Sequence, residues 1–184
     1  LGGVDAMALI VALKNHRKDL KFIVNDILTN IENLNSYFVG INKHGKLGLS
    51  ARERIKAAFQ EDQALCIFPD GMVSRIHEGI IQDSEWKKTF ITYGREFNRP
   101  IVPIHISGQL SSKFYRLFKL RSFLGIKANV EMFYLADEML RQKNKIITYT
   151  VGEPIMGKDI DPEMDDLRAA NWFKSIVYQL KSDK

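Results

Sequence analysis

Cysteine is almost absent from this 184-residue sequence, in which Cys66 is the only one. A disulfide within the chain is therefore excluded, and a reducing compartment is favoured. Cys66 lies in the apolar run 64–68, so we expect a small buried side chain rather than a reactive thiol.

Long hydrophobic runs are absent too. No stretch approaches the roughly 20 apolar residues that cross a bilayer, and none resembles a signal peptide. The chain opens on the loop-like run Leu-Gly-Gly-Val-Asp without an initiator methionine. We therefore expect natural sequence to precede Leu1.

Signatures of several other functions are missing. The chain has no Gly-x-Ser-x-Gly nucleophile elbow, which argues against an α/β hydrolase. Its four histidines show no metal-ligand spacing, so no metal is predicted. The net charge of +5 favours an anionic partner. Because no helix-turn-helix, RNA-recognition or zinc-finger pattern accompanies that charge, nucleic acid is not expected as the partner.

Apolar strand-like runs alternate with helix-like ones along the chain. This pattern predicts one α/β domain with a largely parallel or mixed sheet flanked by helices. Ser50 begins a capping box and should start a helix, and Asp161 should cap a last helix with Pro162 in its first turn. The other predicted helices are 6–13 and 86–96, and the predicted strands are 21–24, 65–68, 100–106, 130–135 and 146–151.

Residues 68–75 are the most informative segment and read Phe-Pro-Asp-Gly-Met-Val-Ser-Arg. They follow a buried strand, and ligands of α/β sheets gather beyond the carboxyl ends of strands. Gly71 permits a sharp turn, and Arg75 offers a fork of donors suited to phosphate. A plain strand-to-loop turn with a solvated arginine is the alternative interpretation.

This segment resembles the Phe-Pro-Glu-Gly-Thr-x-Ser-Arg block of the glycerolipid acyltransferases, typified by 1-acylglycerol-3-phosphate acyltransferase. Three further blocks are similar and occur in the family's order. Residues 1–5 resemble the end of a first block in which a histidine precedes an aspartate. Residues 39–44 (Val-Gly-Ile-Asn-Lys-His) resemble the second block, and residues 101–105 (Ile-Val-Pro-Ile-His) resemble the fourth. The aminolipid O-acyltransferase and hemolysin-like branch is the most similar.

The resemblance implies an acyltransferase domain over residues 1–184, with the start of its first motif missing. It implies transfer of a fatty acyl group from acyl carrier protein or a coenzyme A thioester to a lyso-lipid hydroxyl, without a cofactor. A histidine upstream of Leu1 would be the general base, and Asp5 would orient it. The implied substrate-binding residues are Asp70, Gly71, Ser74, Arg75, Lys43 and His44.

The sequence departs from the family pattern at several positions. Asp70 replaces the usual glutamate, Met72 replaces threonine, and Lys43 and His44 stand where an arginine is usual. These changes affect the expected acceptor more than the reaction, so a lyso-aminolipid is as consistent with the sequence as lysophosphatidic acid.

Residues 113–124 mix basic side chains with large apolar ones. Such a helix is typical of a bilayer interface, with its aromatic side chains in the membrane. A helix that packs on the core with a basic outer face is the alternative. With the lipid substrate, this predicts a peripheral protein on the cytoplasmic face of the membrane.

A catalytically silent, lipid-binding relative is the alternative function. It would share Arg75 and the basic helix but would have no histidine before Leu1.

Overall fold

A three-stranded parallel sheet forms the centre of the fold. The computed structural model describes residues 4–25, 32–41, 49–77 and 79–180. Strand β1 (Leu20–Asn25) lies between β2 (Phe38–Ile41) and β3 (Ala64–Cys66). Phe22 of β1 pairs in register with Phe38 on one side and Cys66 on the other, and its side chain is fully buried. The runs 21–24 and 65–68 thus predicted two strands of this sheet, although β3 ends at Cys66.

Helices flank the strands. In chain order they are α1 (Val4–Leu13), α2 (Leu49–Gln60), α3 (Thr89–Glu96), α4 (Ser112–Phe123), α5 (Leu135–Leu140) and α6 (Asp166–Gln179), with 3-10 turns at Glu32–Tyr37, Val130–Tyr134 and Gly157–Asp159. The start predicted for α2 is confirmed to within one residue. The prediction for α6 is wrong by one turn, because its cap is Asp165, whose carboxylate accepts the N–H groups of Leu167 and Arg168. Asp161 instead accepts the N–H group of Glu163.

Three antiparallel pairs complete the strands in the described part of the chain. They are β4 (Arg75–His77) with β5 (Ile80–Gln82), β6 (Pro100–Ile101) with β9 (Ile155–Met156), and β7 (Ile104–Ile106) with β8 (Tyr149–Val151). The strand predicted at 100–106 is therefore interrupted between β6 and β7. Pro103 lies there and has no N–H to donate, while its carbonyl accepts from the N–H of Gly152 at 2.9 Å. The expected α/β fold with a mixed strand arrangement is confirmed.

The strand predicted at 130–135 is wrong, because Val130–Tyr134 is a 3-10 helix. The β propensity of this run is overridden by one buried charge. Glu131 is completely buried among arginine partners, while Phe133 beside it is exposed. The strand predicted at 146–151 begins only at Tyr149, and Ile146 is 90% exposed.

Three apolar clusters hold these elements together. The largest joins α2, α3 and α6 through side chains such as Ile91 and Phe173, and Arg95 of α3 reinforces it with an ion pair to Asp166 at 2.7 Å. A second cluster joins α1 to the parallel sheet. The third places Val73, from the segment 68–75, against α4.

Helix α4 is amphipathic, but its aromatic side chains do not all face outward. Phe114 and Tyr115 are buried in the third cluster. The prediction that the aromatic side chains of this helix enter a membrane is therefore wrong for these two. Leu120 and Phe123, one to two turns further on, are exposed.

Candidate active site

The segment 68–75 leaves the parallel sheet through a tight turn. The N–H of Gly71 donates to the carbonyl of Phe68 at 3.0 Å, with Pro69 and Asp70 between them. Gly71 has φ +66°, a left-handed conformation that side chains with a Cβ rarely adopt. The sharp turn predicted at this glycine is confirmed.

Asp70 points into the protein from this turn. Its side chain is buried, and its carboxylate accepts the N–H of Ser84 at 3.0 Å. Burial raises the pKa of this carboxyl, and the nearby Asp83 adds to that rise, while the Ser84 N–H, Lys174 and Arg75 act in the opposite direction. The predicted substrate-binding residue thus shapes the loop that follows β5.

Ser74 contacts the same loop. Its hydroxyl donates to Asp83 Oδ1 at 2.7 Å, and Asp83 Oδ2 accepts from Trp86 Nε1 at 3.0 Å. Lys174 Nζ, from α6, donates to the carbonyls of Asp83 and Ser84 at 2.8 Å. Asp70 and Ser74 are therefore fixed to one network, which holds the segment 68–75 against residues 83–86.

Arg75 is 3% exposed, so the solvated-arginine interpretation is wrong. Its guanidinium lies 3.1 Å from Glu131 Oε1 and donates to the carbonyl of Val73 at 2.7 Å. Its charge is also covered by the rings of Phe114 and Phe118, at 5.1 and 5.5 Å from their centroids. Glu131 and the two aromatic rings of α4 therefore cover the guanidinium.

Glu131 is shared by two arginines. Its second carboxylate oxygen lies 2.8 Å from Nε of Arg121, which comes from the last turn of α4. We call Arg75, Arg121 and Glu131 the charge triad. Burial lowers the pKa of Arg75 and Glu131 opposes that shift. Since two guanidinium groups share one carboxylate, the charge triad carries a net positive charge at the end of the segment 68–75.

Sequence reasoning missed Glu131 and Arg121. The only local signal is one acid inside the otherwise apolar run Val-Glu-Met-Phe-Tyr at 130–134. A buried acid of that kind needs a cationic partner, but nothing local identifies Arg75, which is 56 residues earlier in the chain.

Asp5 lies in the first turn of α1 and is half-buried. Its Oδ1 accepts the N–H of Ala6 at 3.0 Å, and its backbone carbonyl accepts the hydroxyl of Tyr149 at 2.9 Å. Burial raises the pKa of Tyr149 to about 12, and the negative charge of Asp5 adds to that rise. Tyr149 belongs to β8, so it ties Asp5 to the strand that pairs with β7 of the fourth block.

The second apolar cluster contains Phe68 of the third block and residues that neighbour the first and fourth blocks. Ala6 of α1, Phe68 at the start of the third block and Tyr149 all pack there. Gly40 of the second block lies in β2, which runs parallel to β1 and ends at the same edge of the sheet as β3. Lys43 and His44 lie outside the described residues.

Cys66 is suited to packing rather than chemistry. Burial raises the pKa of its thiol to about 12, so the reactive thiolate is disfavoured at neutral pH. In the described ranges, no group of three His, Cys, Asp or Glu side chains is arranged to hold a metal ion. None of the described helices is both long and apolar enough to span a bilayer.

Comparisons with known proteins agree on one family. The sequence model described as "Acyltransferase" matches residues 1–183. A protein from Bacteroides thetaiotaomicron named lyso-glycine lipid O-acyltransferase is 41% identical over 181 residues, and a protein of the same name from Phocaeicola vulgatus is 39% identical. No solved structure shows a significant match.

These alignments cover 98% of this chain but only 66% and 65% of the two relatives. The chain thus spans just under two thirds of the length of the proteins it resembles.

Proposed function

The chain belongs to the acyltransferase family, and from that premise we propose that it transfers a fatty acyl group from a thioester to the hydroxyl of a lyso-lipid. The observation that carries this proposal is the 39–41% identity, over 98% of the chain, to two proteins named lyso-glycine lipid O-acyltransferase. The segment 68–75 lies inside that alignment and retains Gly71 and Arg75 of the family block.

We propose a lyso-aminolipid of the glycine type as the acceptor. The names of both relatives support this choice over lysophosphatidic acid. An N-acylated glycine ends in a carboxylate, so its headgroup is anionic at neutral pH. The net positive charge of the charge triad, and basic Lys43 in the second block, suit such a group. Arg75 would act on the headgroup through the field of its positive charge.

The acyl donor in this proposal is acyl carrier protein or a coenzyme A thioester. Both are anionic, and both suit a basic protein. No further cofactor takes part.

The proposed chemistry is general-base catalysis. The histidine that the family resemblance places before Leu1 takes the proton from the acceptor hydroxyl, and the oxygen attacks the thioester carbonyl. The carbon–sulfur bond then breaks, and the leaving thiolate takes the proton back from the imidazolium. Asp5 would select the imidazole tautomer and stabilise the imidazolium. No covalent acyl-enzyme forms, so no serine or cysteine nucleophile is needed.

The contacts of Asp5 support this role. Its carboxylate is at the N-terminus of a helix, and Tyr149 fixes the backbone at the same residue. A carboxylate held in this way would present one orientation to its partner. Because the acceptor is a membrane lipid, the protein would work as a peripheral protein on the cytoplasmic face of the membrane.

Two substitutions test the assignment. Asp5→Asn keeps the shape of the side chain and removes its charge, so kcat should fall by at least about 100-fold while binding to acceptor-containing micelles is retained. Normal turnover of this variant would remove Asp5 from the mechanism. Arg75→Ala removes the positive charge of this side chain, and it should raise KM for the acceptor more than for the donor. An unchanged acceptor KM would exclude Arg75 from acceptor recognition.

A further inference from the structure

The positive charge of the chain is concentrated in one segment. Residues 112–146 contain eight lysines and arginines and three acids, which gives +5, the same as the net charge of the whole chain. The remaining residues contain 19 basic and 19 acidic side chains and are neutral in sum. Two of the three acids in the segment, Glu131 and Glu138, are buried. The exposed surface of the segment is therefore more basic than the sequence count suggests.

The same segment carries most of the exposed large apolar side chains. Of the 17 such residues in the described part of the chain, ten lie between positions 120 and 146. Phe123 and Phe133 are 87% and 86% exposed. These ten are Leu120, Phe123, Leu124, Ile126, Met132, Phe133, Tyr134, Met139, Leu140 and Ile146. Because these side chains share one segment with the excess positive charge, we take the segment as the candidate interaction site.

The segment is fixed to the protein and is not a loose extension. Glu138 of α5 accepts the N–H of Ser111 at 2.6 Å, and the Gln142 side chain donates to the carbonyl of Gln109. Phe114 is buried in the third cluster, and Glu131 pairs with Arg75. The exposed apolar side chains are thus held on a rigid support that contacts the segment 68–75 directly.

We propose that α4, the 3-10 turn Val130–Tyr134, α5 and the residues up to 146 form a surface that inserts into the interface of an anionic bilayer. We call it the basic apolar surface. Exposed lysines such as Lys119 and Lys127 lie close in sequence to Phe123, Leu124 and Ile126. Aromatic and aliphatic side chains would enter the acyl region while the lysines reach the headgroups.

A bilayer matches these features better than an acidic protein does. Charge alone would suit acyl carrier protein, but ten exposed large apolar residues exceed what a mainly electrostatic protein contact needs. The role of this surface in catalysis rests on the proposed function. Because Arg75 pairs with Glu131 of this surface, an acceptor drawn from the bilayer would arrive beside the segment 68–75.

Vesicle flotation tests the proposal directly. The purified protein would be mixed with vesicles of phosphatidylcholine, with or without 30 mol% phosphatidylglycerol. We expect binding to the anionic vesicles that is at least about tenfold stronger than to the neutral ones and that weakens with salt. The Phe123→Ser/Phe133→Ser and the Lys119→Glu/Lys127→Glu variants should each weaken it by about tenfold or more.

Matched controls alter similar side chains elsewhere. Val11 and Ile80 are exposed apolar residues, and Lys14 and Lys158 are exposed lysines, all outside the basic apolar surface. Val11→Ser/Ile80→Ser and Lys14→Glu/Lys158→Glu should bind vesicles as the unmodified protein does. Equal losses in test and control variants would overturn the proposal. Vesicle binding that is unchanged in the Phe123→Ser/Phe133→Ser variant would also overturn it. The same holds if these two residues affect only the binding of acyl carrier protein.

An acyl-transfer assay in detergent separates this inference from the proposed function. Acceptor presented in micelles removes the need for a bilayer, so the variants of the basic apolar surface should keep their transfer rate there. Transfer in micelles together with vesicle binding that these variants do not change would overturn the inference alone. Vesicle binding that depends on the surface, with no transfer to any acceptor, would overturn the proposed function alone.

Discussion

Substitution of Glu131 by glutamine probes the charge triad most sharply. The change preserves the size of the side chain and removes the negative charge that Arg75 and Arg121 share. Glu131 is fully buried, and the side chains of its partners are only 4% and 12% exposed. Both guanidinium groups would then be left beside each other without a counterion in a largely dry site.

Removal of one partner from a buried ion pair costs about 3–5 kcal/mol. For a chain of this size, each kcal/mol shifts Tm by roughly 2–4 °C. We therefore expect Glu131→Gln to lower Tm by about 6–20 °C. The measurement is thermal unfolding followed by circular dichroism, with urea unfolding at 25 °C as a second readout.

Two matched variants make the test specific. Asp137→Asn removes an exposed acid from the same segment and should change stability by less than about 1 kcal/mol. Replacement of all three members of the charge triad by methionine removes the buried charges together and should recover most of the lost stability. A Tm for Glu131→Gln within about 2 °C of the unmodified protein would refute the structural role of the charge triad.

Three further predictions concern other buried groups. Burial raises the pKa of Asp70 in the folded protein, so folding opposes ionisation of this carboxyl. The protonated carboxyl therefore stabilises the fold at low pH, and this stabilisation is lost as the pH rises through the folded pKa. Asp70→Asn should therefore unfold at higher urea than the unmodified protein at pH 7, and the difference should shrink towards pH 4; a constant difference would contradict this. Cys66 and Tyr149 have pKa values raised to about 12, so stability should fall between pH 9 and about 12, and less steeply in Cys66→Ala; equal slopes would contradict the assignment for Cys66. A Cβ on Gly157 would lie 2.0 Å from the carbonyl oxygen of Gly94, so Gly157→Ala should cost about 1–3 kcal/mol in urea unfolding, and an unchanged midpoint would refute the close approach.

Local sequence patterns predicted the elements whose conformation is decided by neighbouring residues. The run at 21–24 holds the apolar residues Phe22, Ile23 and Val24, which suit a strand, and it forms most of β1. The capping box at Ser50 is a signal within four residues and located α2 to one residue. The turn at Gly71 was equally predictable, because Pro69 fixes its own φ and Gly71 tolerates the left-handed φ of +66°.

The failures arise where a distant partner decides the conformation. Residues 130–135 have strand propensity, but the need to neutralise two arginines buries Glu131 and turns the aromatic neighbours outward. The start of α6 was placed too early because Asp161 and Asp165 are both acidic residues suited to a cap. The contact of Arg95 with Asp166 is a distant interaction that accompanies the later start.

The contacts of the candidate site residues were not predictable from the sequence. The segment 68–75 singled out Asp70, Ser74 and Arg75 as candidates, but their partners come from residues 83–84 and 131. Asp5 and Tyr149 are 144 positions apart, and their hydrogen bond depends on the packing of α1 beside β8. No local pattern contains such pairs.

The most direct test of the central claim is an acyl-transfer assay with labelled acyl carrier protein and a panel of lyso-lipids in detergent. The panel would contain lyso-glycine lipid, another lyso-aminolipid and lysophosphatidic acid. It would be run with the unmodified protein, with Asp5→Asn and with alanine at the histidine expected before Leu1. Transfer to lyso-glycine lipid that both substitutions abolish is the expected result. Absence of transfer to every acceptor, with lipid binding intact, would contradict the proposed reaction and indicate a lipid-binding relative.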